Sequence, residues 1–111
     1  MDNQSVKNIL QHINGLLANR QYDLLYKEDA VKRVTADEVE NAINEYGGQV
    51  TLPPEEAYEK IFIYEHYDSE QEATVEMYLW INNEQSDLTL SCDVAIDGEH
   101  TLYAVNDVRV L

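Results

Sequence analysis

The segments ATVEMYLWIN (residues 73–82) and DLTLSCDVAI (residues 87–96) decide the fold. In the first, Val75, Met77, Leu79 and Ile81 alternate with Thr74, Glu76, Tyr78 and Trp80. In the second, Leu88, Leu90, Cys92, Val94 and Ile96 alternate with Asp87, Thr89, Ser91, Asp93 and Ala95. A period of two predicts strands with one face on a core and the other free. Upstream, residues 58–67 predict a further strand, with Ile61 and Ile63 opposite Lys60, Phe62, Tyr64 and His66. Downstream, Asp97-Gly98 is a hairpin signal, and residues 101–111 close the sheet with a bulge near Asn106-Asp107. Polar turns at residues 68–72 and 82–85 make this a four-stranded antiparallel meander over residues 58–111.

Helical spacing governs the part before it, residues 3–48. Val6, Ile9, Leu10, Ile13, Leu16 and Leu17 form one stripe over residues 3–19, with Asn14 on the wet side. Tyr22 to Tyr26 suggests one short turn, and residues 27–33 a solvated connection. Thr35 and Glu38 are spaced as a capping box. Behind it, Val39, Ala42, Ile43 and Tyr46 form a buried face that ends at Gly47-Gly48. Leu52-Pro53-Pro54 marks the change from helix to sheet. Helices followed by strands predict one α+β domain over residues 1–111, with the helices covering one sheet face.

The chain holds 22 acidic and 7 basic residues, a net charge of −15. No Lys or Arg occurs from Ile61 to Val108, a span with eleven acids, four tyrosines and the single Trp. Direct nucleic-acid binding and attraction to an anionic membrane are disfavoured, since both need clustered Lys and Arg. A basic protein is the natural complement. One cysteine excludes an internal disulfide and fits a reducing compartment. With no secretory-type start and no long apolar run, the expected location is cytoplasmic.

No catalytic motif is present, so no enzyme activity, cofactor or metal is expected. Cys92 lies on the inward register, where Cys acts as a small apolar residue. His66 and Asp68 are too few ligands for a zinc site. The outward set is more informative: Tyr64, Glu76, Tyr78, Trp80 and Asp93, joined by Glu65, are the candidate partner-binding residues. Tyr and Trp are enriched at interface hot spots, and carboxylates around them would pair with cations.

At Leu79-Trp80, Ser86-Asp87-Leu88-Thr89-Leu90 and Val108-Arg109-Val110-Leu111, with Tyr46-Gly47 and Pro53-Pro54, the chain resembles a small bacterial family of uncharacterised domains. That resemblance implies helices followed by a curved sheet, a cone similar to cystatin or nuclear-transport-factor-like folds. In type, a small acidic cytoplasmic domain also resembles immunity proteins of contact-dependent growth-inhibition systems, which neutralise a toxin by binding it. The expected function is therefore immunity-type inhibition of a basic toxin, a nuclease by class, by a monomer. The alternative is a small-molecule-binding or enzymatic cone-fold domain with a pocket between helices and sheet.

Overall fold

The computed structural model describes residues 1–111. Three helices precede an antiparallel sheet: α1 (Asn3–Ala18), α2 (Tyr22–Glu28) and α3 (Ala36–Tyr46), then β1 (Val50–Thr51), a 3₁₀ helix (Glu55–Lys60), β2 (Phe62–Glu65), β3 (Glu72–Ile81), β4 (Glu84–Asp97) and β5 (His100–Val110). The class is α+β, as expected, with helices packed against an open sheet of five strands rather than four. β3 pairs β4 along its length and β4 pairs β5, while β1 and β2 share the other side of β3.

The helix signals act where they stand in the sequence. Asp2 caps α1, its side chain accepting from the Gln4 and Ser5 amides. At α3 the Thr35 hydroxyl accepts from the Glu38 amide and the Glu38 carboxylate accepts from the Thr35 amide, both at 3.1 Å. These contacts satisfy N–H groups that the first turn leaves unpaired. The apolar stripe of α1 packs with Leu25, Val39 and Ile43 onto Val75, Met77, Leu79, Leu90, Cys92 and Val94. The core is therefore a single layer between helices and sheet. No helix is long and apolar enough to cross a membrane.

Several expectations need correction. Residues 58–60 are not strand: Ala57 and Tyr58 are buried in the 3₁₀ turn, and the strand starts only at Phe62. Pro53-Pro54 gives that turn its start, and the Ala57 amide donates to the Pro54 carbonyl at 3.0 Å. Asn14 is buried, not wet; its amide donates to the Leu10 carbonyl at 3.0 Å and lies 3.4 Å from the Tyr58 hydroxyl. Tyr46 is exposed, and its hydroxyl donates to Asp87 at 2.7 Å. That bond to a carboxylate raises the phenol above its ordinary range. Ile96, near the sheet end, is only half-buried.

The turns follow residue chemistry. Asn82 and Asn83 both take positive φ and join Ile81 to its partner Glu84, a two-residue hairpin. Asn tolerates that conformation better than most residues, and the primed turn matches strand twist. The bulge in β5 falls at Asn106, where the register slips between Ser91–Asp107 and Cys92–Val105.

Candidate functional site

All three helices lie on one face of the sheet, and the opposite face carries the candidate residues. Cross-strand register arranges that outer face in rows. Tyr64, Thr74, Asp93 and Ala104 stand side by side; the next row runs Phe62, Glu76, Ser91 and Asp107. Tyr78, Thr89 and Arg109 form a third. Directly opposed residues share a face, so the rows are set by backbone pairing alone.

Phe62 and Tyr64 remain 48% and 54% exposed. The ring of Phe62 meets that of half-buried Tyr78 edge to face, with centroids 6.3 Å apart and planes at 86°. This geometry suits the positive edge of one ring to the negative face of the other. Phe62 thus joins Tyr64 and Tyr78 in one aromatic surface; alternation placed it outward, but its contact with Tyr78 depends on the β2–β3 register.

The other candidates differ in position. Glu76 stands between Phe62 and Ser91 on the same face. Trp80 is half-buried and packs against the apolar core, so part of its area is committed to folding. Glu65 does not belong to this surface. It pairs with Ala73, whose neighbours Val94 and Tyr103 face the helices, and its carboxylate lies 3.6 Å from the Met1 amino group.

Asp93 is the centre of a polar chain. Its Oδ1 accepts from the Thr74 hydroxyl at 2.8 Å and the Asn106 amide at 2.9 Å; its Oδ2 lies 3.2 Å from Arg33 Nη1. Arg33 also donates to Asn106 Oδ1 at 2.7 Å. Residue 106 can reach both because the bulge inserts it as an extra residue on this edge. Thr74 has one hydroxyl proton and commits it to Asp93, so His66 Nε2, 3.0 Å away, is the donor to Thr74. His66 Nδ1 lies 3.5 Å from Glu72 Oε2. Burial alone would raise the Asp93 carboxyl, but bonds from Asn106 and Thr74 and the charge of Arg33 outweigh it and hold it below the usual range.

The connection that carries Arg33 is anchored, not merely solvated. Asp29 is 3% exposed and accepts from the amides of Val31, Lys32 and Val105 at 3.0, 2.8 and 2.8 Å. Arg33 and Asp29 are the residues that sequence reasoning missed; a mixed-charge run gives no local sign of a partner some 60 or more positions away.

On the outer face Thr74, His66 and Glu72 stand in line as hydroxyl, imidazole and carboxylate, with the Thr74 proton directed to Asp93. Cys92 is buried on the helix side, and burial pushes its thiol up to about 12. No group of three or more His, Cys, Asp or Glu side chains is placed to hold a metal ion. No curated protein and no solved structure matches the chain. A family model described as a domain of unknown function, DUF7668, matches residues 15–111. A match over that much of the domain, from within α1 through the whole sheet, places the chain in the DUF7668 family.

Proposed function

We propose that this chain is an immunity-type protein that binds and neutralises a basic toxin domain, a nuclease by class, in the cytoplasm. It binds as a monomer through the outer face of the sheet. The observation that supports this reading is the uncovered aromatic surface of Phe62, Tyr64 and Tyr78, with Glu76 in the row beside Tyr78. The arginines at this face are already matched: Arg33 by Asp93, and Arg109 by Asp107 at 3.2 Å. The charge left for a partner is therefore acidic. Aromatic anchors supply most of the affinity in such contacts, while surrounding carboxylates steer encounter and set salt dependence.

The competing pocket reading is disfavoured by how the interior is filled. Apolar side chains occupy the space between helices and sheet. A crevice within that core, lined by Tyr22, Leu25, Val39 and Val105 among others, measures about 10 Å³, at the lower limit for one water molecule. The wider groove between α1 and the 3₁₀ helix, about 380 Å³, has Lys7, Glu55 and Glu59 in its lining, and Lys7 and Glu55 are already paired with each other.

The test is capture of host proteins on the tagged chain at low and high salt, followed by affinity measurement on what is recovered. The expected result is one basic domain whose association slows as salt rises. Tyr78→Ala should weaken the complex by about 2 kcal/mol, and Trp80→Ala by less. A complex equally tight with both Phe62→Ala and Tyr78→Ala would remove the aromatic face from the contact.

A further inference from the structure

Next to the aromatic surface, at the β5 side of the same face, lies a groove of about 410 Å³. Its floor is Ala95 and Ala104, diagonal neighbours on β4 and β5 that leave room because each side chain is a single methyl group. One wall is the anchored connection, with Val31 and Arg33; the other is His66 and Glu72. Val31 and Leu102, both exposed, present apolar surface along it.

We infer that this groove receives a basic side chain of the partner, an arginine, with its aliphatic stem over Ala95 and Leu102 and its guanidinium at Glu72. This rests on the reading of the outer face as a contact for a basic protein, and names a subsite within it. Glu72 stands directly across from Ala95, which lies across from Leu102, so the carboxylate ends an apolar track. An arginine carries that same order of groups along its length.

The charge balance selects a cation. Asp93 and Arg33 neutralise one another in the wall. The other cation of the connection, Lys32, is turned away, donating to the Asp29 and Lys27 carbonyls and lying 5.6 Å from the centroid of the Tyr26 ring. No lysine or arginine of the chain pairs with Glu72; only His66 Nδ1, 3.5 Å away, stands beside its carboxylate. Its carboxylate is half-exposed, so engaging it carries little desolvation cost. Arginine is preferred to lysine because its planar fork matches a carboxylate with two parallel donors.

The test titrates the isotope-labelled full chain with N-acetyl-arginine N-methylamide, and with its uncharged citrulline counterpart, while NMR follows the methyl groups. The expected result is saturable shifts at Ala95, Leu102 and Ala104, with the citrulline compound about tenfold weaker. Glu72→Gln, an exposed change, should weaken binding of the arginine compound by the same factor. Ala95→Phe, which fills the groove without touching charge, should abolish it. Shifts that never saturate and spread over all acidic surfaces, or binding unchanged in both variants, would overturn the subsite. The two readings separate in one comparison. A captured basic domain that binds Ala95→Phe as tightly as the wild type removes the groove and leaves the face. Groove binding without any captured basic domain removes the toxin reading and leaves the subsite.

Discussion

The carboxylate of Asp29 accepts the backbone N–H of Val105 at 2.8 Å, across 76 positions of sequence. One residue on, the Ala30 amide donates to the Tyr103 carbonyl at 2.9 Å. β5 is an outer strand of the sheet, with β4 on its other side. Unpaired edge groups are a template for pairing with another chain. Here the connection from α2 to α3 supplies an acceptor and a donor where a neighbouring strand would, and so blunts that edge.

Removing the acceptor should be costly. Asp29→Ala leaves the amides of Val31, Lys32 and Val105 without their partner, and should destabilise the fold by about 3 kcal/mol. Asp29→Asn keeps one carbonyl oxygen and should lose less. Urea denaturation of both variants measures the difference. An Asp29→Ala midpoint indistinguishable from wild type would show that the clamp does not contribute to stability.

The Asp93 network should appear in the pH dependence of stability. Its folded carboxyl titrates below its ordinary value of 3.8. The carboxylate form is therefore favoured by folding: the contribution is fully present above the unfolded value and is lost as pH falls through the folded one. Asp93→Asn should be less stable than wild type at neutral pH, with the gap closing below pH 3.8. A gap that stays constant over that range would mean that Asp93 contributes through packing rather than charge.

Cys92 should be inert while the chain is folded. Burial first, then the nearby Asp93 and Asp29 carboxylates, push its thiol up to about 12. Only the thiolate reacts with alkylating or disulfide reagents. At pH 8 modification should follow opening of the fold and accelerate with urea. Rapid stoichiometric labelling of the native chain would contradict this placement.

Adjacent glycines should respond differently to alanine. Gly47 and Gly48 both have positive φ, +95° and +83°. A Cβ at Gly47 would meet nothing within 4 Å, whereas one at Gly48 would stand 2.5 Å from Ile81 Cγ2. Gly47→Ala should cost about 1 kcal/mol from backbone conformation alone. Gly48→Ala adds overpacking and should cost about 3 kcal/mol. Equal thermal shifts for the two variants would remove the close contact as a cause.

Much of the fold was legible because its signals are local. Alternation over residues 73–96 reports which face of β3 and β4 is buried, since adjacent strand residues point to opposite faces. The Thr35–Glu38 box and the Asn82-Asn83 turn lie within four residues of chain, so their bonds depend on little else. Phe62, Tyr64, Glu76 and Tyr78 could be placed outward for the same reason.

β1 was not legible. Two residues cannot show a period, and Val50–Thr51 is strand because of what lies beside it. The Asn82 amide donates to the Gln49 carbonyl at 2.9 Å, and the Asn83 amide to the Thr51 hydroxyl at 2.9 Å. Tyr58 is buried because the chain turns after Pro54 before it enters the sheet.

By itself, then, the sequence determined the α+β class, the inward set of β3 and β4, the cap of α3 and an acidic, aromatic outer face. Each follows from residue type at fixed short spacing. Only the tertiary structure decided that Asp29 holds the β5 edge, that Arg33 neutralises Asp93 and that Ala95 and Ala104 floor a groove. Those relationships join residues 60 or more positions apart, or depend on which strand is the edge and where a bulge falls. Long-range pairing is set by the packing of whole elements, and no local spacing encodes it.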